Sequence, residues 1–190
     1  MSTTNHVKAS SLALSLAMTL MVNAHAQTAG TATPPDAKPA TASSNANVPR
    51  ADRSFITKAA QGGLAEVQLG QLAAQKATDP QVKQFAQRMV EDHSKANDKL
   101  KQVASSKNVT LPSDLPSDAR REENKLNKLS GAQFDKEYMN HMLSDHKKDV
   151  SLFRSESKSA KDPDVKQFAS ETLPTLEQHL QMAQSIAKSK

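Results

Sequence analysis

The octapeptide DPQVKQFA, Asp79–Ala86, returns as DPDVKQFA, Asp162–Ala169, identical at seven of eight positions. Asp before Pro is a helix-start signal: the carboxylate accepts the first free backbone amides, and proline at the first helical position has φ already set. Each copy is flanked on both sides by long stretches with apolar residues at three- and four-residue spacing, which predicts two pairs of helices turning at the two Asp-Pro dipeptides.

The first pair is expected as a helix over about Arg53–Ala77, with Ile56, Ala59, Ala60, Gly63, Val67, Gly70 and Ala74 on its inner stripe, then a helix to about Ser106. The second pair spans about Ala132–Ala160 and Pro163–Lys188. Between the pairs, Lys107–Gly131 opens with a proline-bearing segment, NVTLPSDLPSD, and REENKLNKL after it suits a short helix. Two αα-hairpins joined by a long crossover make an all-α four-helix bundle. Gly63 and Gly70 fall on the buried stripe, where an interior glycine costs ~1 kcal/mol relative to Ala, so close approach of a neighbouring helix is expected there. Pro174 is expected on the outer face of the last helix, freeing the Ser170 carbonyl and bending the helix toward the core near His179.

Outward from this domain, taken as residues 53–190, residues 27–52 are rich in Ala, Thr, Pro, Ser and Asn and read as a flexible linker. Residues 1–26 read as a signal peptide: Lys8, the apolar run Ser10–Val22, and Ala24-His25-Ala26 as a cleavage motif. That run is short of the ~20 residues a spanning helix needs. No membrane-spanning segment is expected after signal removal, and the expected compartment is the periplasm, with association with the outer membrane left open. The chain has no cysteine, so stability rests on packing. The net charge of +5 is spread among interleaved acids and bases, without the basic stripe that nucleic-acid binding needs.

A second repeat carries the chemistry. MVEDH at Met89–His93 returns as MLSDH at Met142–His146. With ~100° of rotation per residue, His93 falls in the middle of its buried stripe, His146 and Asp145 straddle theirs, Asp149 lies close by, and Glu66 and His179 lie within ~50° of theirs. At 1.5 Å per residue, Glu66 and His93 stand ~18 and ~21 Å from the first turn, and Asp149, His146 and His179 ~18 to ~26 Å from the second. All five groups therefore meet near mid-bundle, whichever way the second pair runs. Unpaired burial of an imidazole costs ~1–3 kcal/mol, and clustered carboxylates cost more without a cation. A transition-metal ion held by Glu66, His93, His146, Asp149 and His179 resolves both, with Asp92 and Asp145 beside the histidines as ligands or supports. Zinc, copper, iron and manganese are not distinguished; Met89 and Met142, more often core residues, would favour copper if they were ligands. The competing account is a metal-free hydrogen-bonded network in a structural module that binds an envelope protein. Buffering of an ion or a part in envelope stress is the expected role on the metal reading. Catalysis is not indicated, since no nucleophile–base pair, phosphate loop or cofactor fingerprint is present.

The blocks GGLAEVQLGQLAAQKATDPQVKQFAQRMVEDHSKAN, LSGAQFDKEYMNHMLSDHKKDVSLF and LPTLEQHL resemble a ferritin-like family of exported bacterial proteins of unknown function, often labelled outer membrane proteins. The resemblance covers about Ser54–Ala187 and implies a ferritin-like four-helix bundle. Di-iron proteins of that class carry a Glu on each of two helices and Glu-x-x-His on the other two. Here Val90 and Leu176 stand three residues before His93 and His179, so a mononuclear or altered site is expected instead of a di-iron oxidase.

Overall fold

The computed structural model describes residues 48–189. The signal segment and most of the linker expected from the sequence lie outside the described residues. Those residues form five helices: α1 (Arg50–Lys76), α2 (Pro80–Ser106), α3 (Ser117–Asn127), α4 (Gly131–Ser159) and α5 (Pro163–Lys188). No strand occurs among the described residues, and no helix there is long and apolar enough to cross a membrane. Both Asp-Pro starts behave as read: Asp79 accepts from the amides of Gln81 and Val82, and Asp162 from those of Asp164 and Val165.

Two expectations need correction. The first helix starts at Arg50, so residues 50–52, assigned to the linker, are helical. Asp52 is buried and Val48 packs into the core, which ties this stretch to the folded domain. The inner stripe of α1 is also rotated. Leu69 and Ala73 are buried while Val67 and Ala74 are only partly so, and this brings Glu66 onto the buried face rather than its margin.

α1 packs along α2 and α4 along α5, with α2 also against α5 and α1 against α4. Two buried aspartates fix how the pairs meet. Asp52, in the first turn of α1, accepts from the amides of Lys161 and Asp162 in the α4–α5 turn, at 3.0 and 2.7 Å. Asp135, near the start of α4, accepts from the amides of Thr78 and Asp79 in the α1–α2 turn, at 3.1 and 2.9 Å. Asp135 follows Asp52, and Asp162 follows Asp79, at the same spacing of 83 residues, so each pair clasps the other's turn in the same way. The start of each pair lies at the other's turn, and α1 and α4 are therefore antiparallel. The segment between α2 and α4 must then climb the length of the molecule. α3 lies along that climb: Ala119 and Leu115 pack on Ala65, and Lys76 Nζ donates to the carbonyls of Leu126 and Asn127.

The apolar core is in two blocks. One gathers Phe55, Ile56, Leu100, Phe153 and Phe168; the other gathers Leu69, Phe85, Met89, Phe134 and Met142. Along all four long helices the gap between the blocks is filled by a polar residue: Glu66, His93, His146 and His179. The glycines of α1 allow α2 to come close, as expected. A Cβ on Gly63 would stand 2.1 Å from Asn97 Oδ1, and one on Gly70 3.0 Å from Val90 Cγ2 and 3.2 Å from the Ala86 carbonyl oxygen. Pro174 lies exposed, and α5 runs on through it.

Candidate metal centre

The three rings stand with centroids 5.2–5.6 Å apart. His146 and His179 are fully buried, and His93 and Glu66 are each 4% exposed. His146 and His179 each have one nitrogen engaged by a group that only accepts. His146 lies one turn beyond Met142 on α4, and its Nδ1–H donates to the Met142 carbonyl oxygen at 2.9 Å. His179 Nε2–H donates to Asp92 Oδ2 at 2.9 Å, across from α2. His93 Nδ1 lies 2.8 Å from Glu66 Oε2 and donates to it when Glu66 is ionised. A neutral imidazole has one N–H, so these bonds assign the tautomers and leave bare lone pairs on His146 Nε2 and His179 Nδ1, and on His93 Nε2 when Glu66 is ionised.

Those lone pairs are not satisfied within the protein. His146 Nε2 and His179 Nδ1 face each other at 3.4 Å, and His93 Nε2 has no hydrogen-bond partner. One nitrogen from each ring lies within 4.8 Å of the other two. A tetrahedral ion at ~2.0–2.1 Å from imidazole nitrogen has ligand–ligand edges of about 3.4 Å, so the His146–His179 pair already has ligand spacing. Glu66 Oε1, 3.4 Å from His146 Nε2 and without a hydrogen bond, is a carboxylate oxygen beside these nitrogens. The residues therefore fit a metal ion, and the set includes an orphaned carboxylate oxygen that a cation would satisfy.

Electrostatics agree with this donor set. Burial lowers the pKa of His93 to about 4 and of His179 to about 3, and lowers that of His146, which keeps all three in the neutral form that metals bind. Burial raises Glu66, with the charge of Asp145 adding to it, and raises Asp149, with Glu66 adding to it. Burial also works upward on Asp92, but the bonds from His179 and Arg88 outweigh it and hold that carboxylate low.

The site residues expected from the sequence divide. Glu66, His93, His146 and His179 meet. Asp149 lies beside Glu66 and is half-buried. Asp92 supports a histidine, but it is His179 and not its sequence neighbour His93. Asp145, expected beside His146, is turned away: it accepts from His141 Nε2 at 2.9 Å and from Lys148 at 3.0 Å. On a helix, consecutive residues diverge by ~100°, so adjacency in sequence does not give contact. Met89 and Met142 are fully buried among apolar side chains. The role of the Met142 carbonyl has no side-chain signal; only the four-residue spacing to His146 hints at it.

The chain belongs to the family described as a domain of unknown function, DUF4142, whose sequence pattern matches residues 37–186. No curated protein matches it. Among solved structures it is similar to a DUF305 fragment from Deinococcus radiodurans, at TM-score 0.66 and 12% identity, covering 75% of this chain and 99% of that one. It is similar to CopM in a Cu(I)-bound form, at TM-score 0.62 and 16% identity, covering 73% and 96%. A DUF305 protein from Streptomyces coelicolor aligns at TM-score 0.60 and 16% identity, covering 70% and 89%. At these identities the likeness is one of helical fold.

Proposed function

We propose that this protein is an exported envelope protein that binds one transition-metal ion inside a ferritin-like four-helix bundle, two αα-hairpins joined by a long crossover. His93, His146 and His179 are the ligands, Glu66 is the fourth donor, Asp92 orients His179, and Asp149 neighbours the ion through Glu66. The observation that carries this reading is the pair of facing lone pairs on His146 Nε2 and His179 Nδ1, 3.4 Å apart, each enforced by an acceptor behind its ring. Imidazole donors suit zinc and copper, and the structures of CopM with Cu(I), Cu(II) or Ag bound support copper. Bound there, the ion would balance the buried lone pairs and carboxylates, and the role is storage or buffering. Export is supported by the Ser10–Val22 apolar run and the Ala24-His25-Ala26 motif.

The test is elemental analysis of protein purified from periplasm, with titration of the metal-free form by Cu(II) and Zn(II). One ion per chain, lost in His146→Ala and His179→Ala, is expected. Substoichiometric metal that these substitutions leave unchanged, together with thermal stability indifferent to EDTA, would leave a metal-free structural module.

A further inference from the structure

Two cavities share a wall. The outer one, about 500 Å³, lies between α1, α3 and α4, and exposed Lys58, Asp118 and Lys148 stand at its rim. The inner one, about 20 Å³, reaches His93 and Asn97 and has room for about one water-sized sphere. Gly62, Glu66 and Asp149 line both. Gly62 leaves that wall without a side chain, and a Cβ there would still stand 3.9 Å from Asp149 Oδ1. Two further surface cavities, between α2 and α5 and along the first turns of α1, touch none of the ligand residues.

The polar lining has a direction. Glu122 and Asp145 line only the outer cavity, Asp149 and Glu66 line both, and Glu66 is the one of the four that is buried. Glu122 Oε1 and Glu66 Oε1 are both buried without a hydrogen-bond partner, and Glu66 is almost wholly enclosed. Asp149 follows Glu66 at the same 83-residue spacing that relates the two turn-clasping aspartates. The two pairs of helices thus offer equivalent carboxylates to one point, where the cavities meet.

Building on the metal-binding reading above, we propose that this is the loading path of the site. A hydrated cation is drawn between α1 and α3 by Glu122 and Asp145. It exchanges waters for carboxylate oxygens at the Asp149–Glu66 pair, and Glu66 delivers it to the three imidazoles. Acid-lined clefts raise the local concentration of cations and their association rate, by ~10- to ~1,000-fold in favourable cases.

Stopped-flow loading of the purified protein with aqueous Cu(II), beside equilibrium affinity from competition with a chelator, tests the path. Gly62→Leu fills the shared wall beside Asp149; it should slow loading and release together, so that Kd, their ratio, moves less than either rate. Glu122→Gln with Asp145→Asn should slow loading about tenfold at low ionic strength, and the difference should fade as salt is added. Loading at the wild-type rate in both variants, with binding still lost in His146→Ala, overturns the path and spares the metal site. Wild-type protein that takes up no Cu(II) overturns both.

Discussion

Asp92 on α2 holds His179 on α5, 87 residues away, at 2.9 Å, while the histidine next to it in sequence is held by Glu66 of α1. Two helix pairs are thereby cross-linked through the same polar layer, and each imidazole is oriented from behind by another chain segment or by its own helix.

Removing such an outer partner typically lowers metal affinity ~10- to ~100-fold. Asp92→Ala frees His179 to take either tautomer and should weaken binding by about that factor, measured by competition titration. Unchanged affinity would mean that Asp92 does not orient the ring.

The pH dependence of binding should come from carboxyls rather than imidazoles. His93 and His179 are already neutral above about pH 4 and 3. Glu66 and Asp149 are held upward by burial, so they must give up protons to receive a cation. Affinity should rise as pH increases from 5 toward neutrality, with proton release on binding, and Asp149→Asn should flatten the rise. Calorimetry in buffers of different ionisation enthalpy counts the protons.

In the metal-free protein the same groups set stability in opposite directions. The depressed imidazoles contribute stability that is present above pH 6.5 and lost as pH falls toward 4. The raised carboxyl pair contributes stability that is present at acid pH and lost as pH rises through neutrality. Asp149→Asn removes part of the second effect, so the variant should gain on the wild type between pH 5 and pH 8. Urea unfolding with chelator present measures this; an equal difference at both pH values would contradict it.

Asp52 and Asp135 should matter for folding and not for the ion. Each satisfies two backbone amides of the opposite turn, and an orphaned buried donor costs ~1–3 kcal/mol. Asp52→Ala and Asp135→Ala should each destabilise by about 2–4 kcal/mol. Metal stoichiometry should hold at temperatures where the variants remain folded.

Two glycines of α1 should respond oppositely to alanine. At Gly62 a methyl meets only ordinary contact, so Gly62→Ala should stabilise by up to ~1 kcal/mol through helix propensity. At Gly70 the methyl would press on the backbone of α2 at Ala86 and on Val90, and overpacking of this kind costs ~1–3 kcal/mol. Gly70→Ala should therefore lower the midpoint of thermal unfolding while Gly62→Ala raises it.

Much of the fold was legible because its signals are local. The Asp-Pro starts of α2 and α5 need only the next three residues, and both helices begin where those dipeptides put them. The convergence of Glu66, His93, His146 and His179 was legible because helical rise and rotation are fixed. The start of α1 was missed because Pro49 gives no side-chain cap, and Asp52 looks like a solvated residue until the α4–α5 turn arrives beside it. The α1 stripe was misjudged because Val67 and Ala74 are as apolar as buried residues are, and periodicity alone does not tell which edge of a stripe faces a neighbour.

The chain by itself determined which segments are helical, where they turn, and which polar residues stand at mid-height, because these depend on backbone geometry within a few residues. Tertiary structure alone decided that α1 and α4 run antiparallel, that Asp92 supports His179 and that Asp145 turns to His141. It also brought Asp149 beside Glu66 at the meeting of two cavities. Each of these depends on which helix faces which, and that is set by packing and by two buried aspartates reaching across to distant turns.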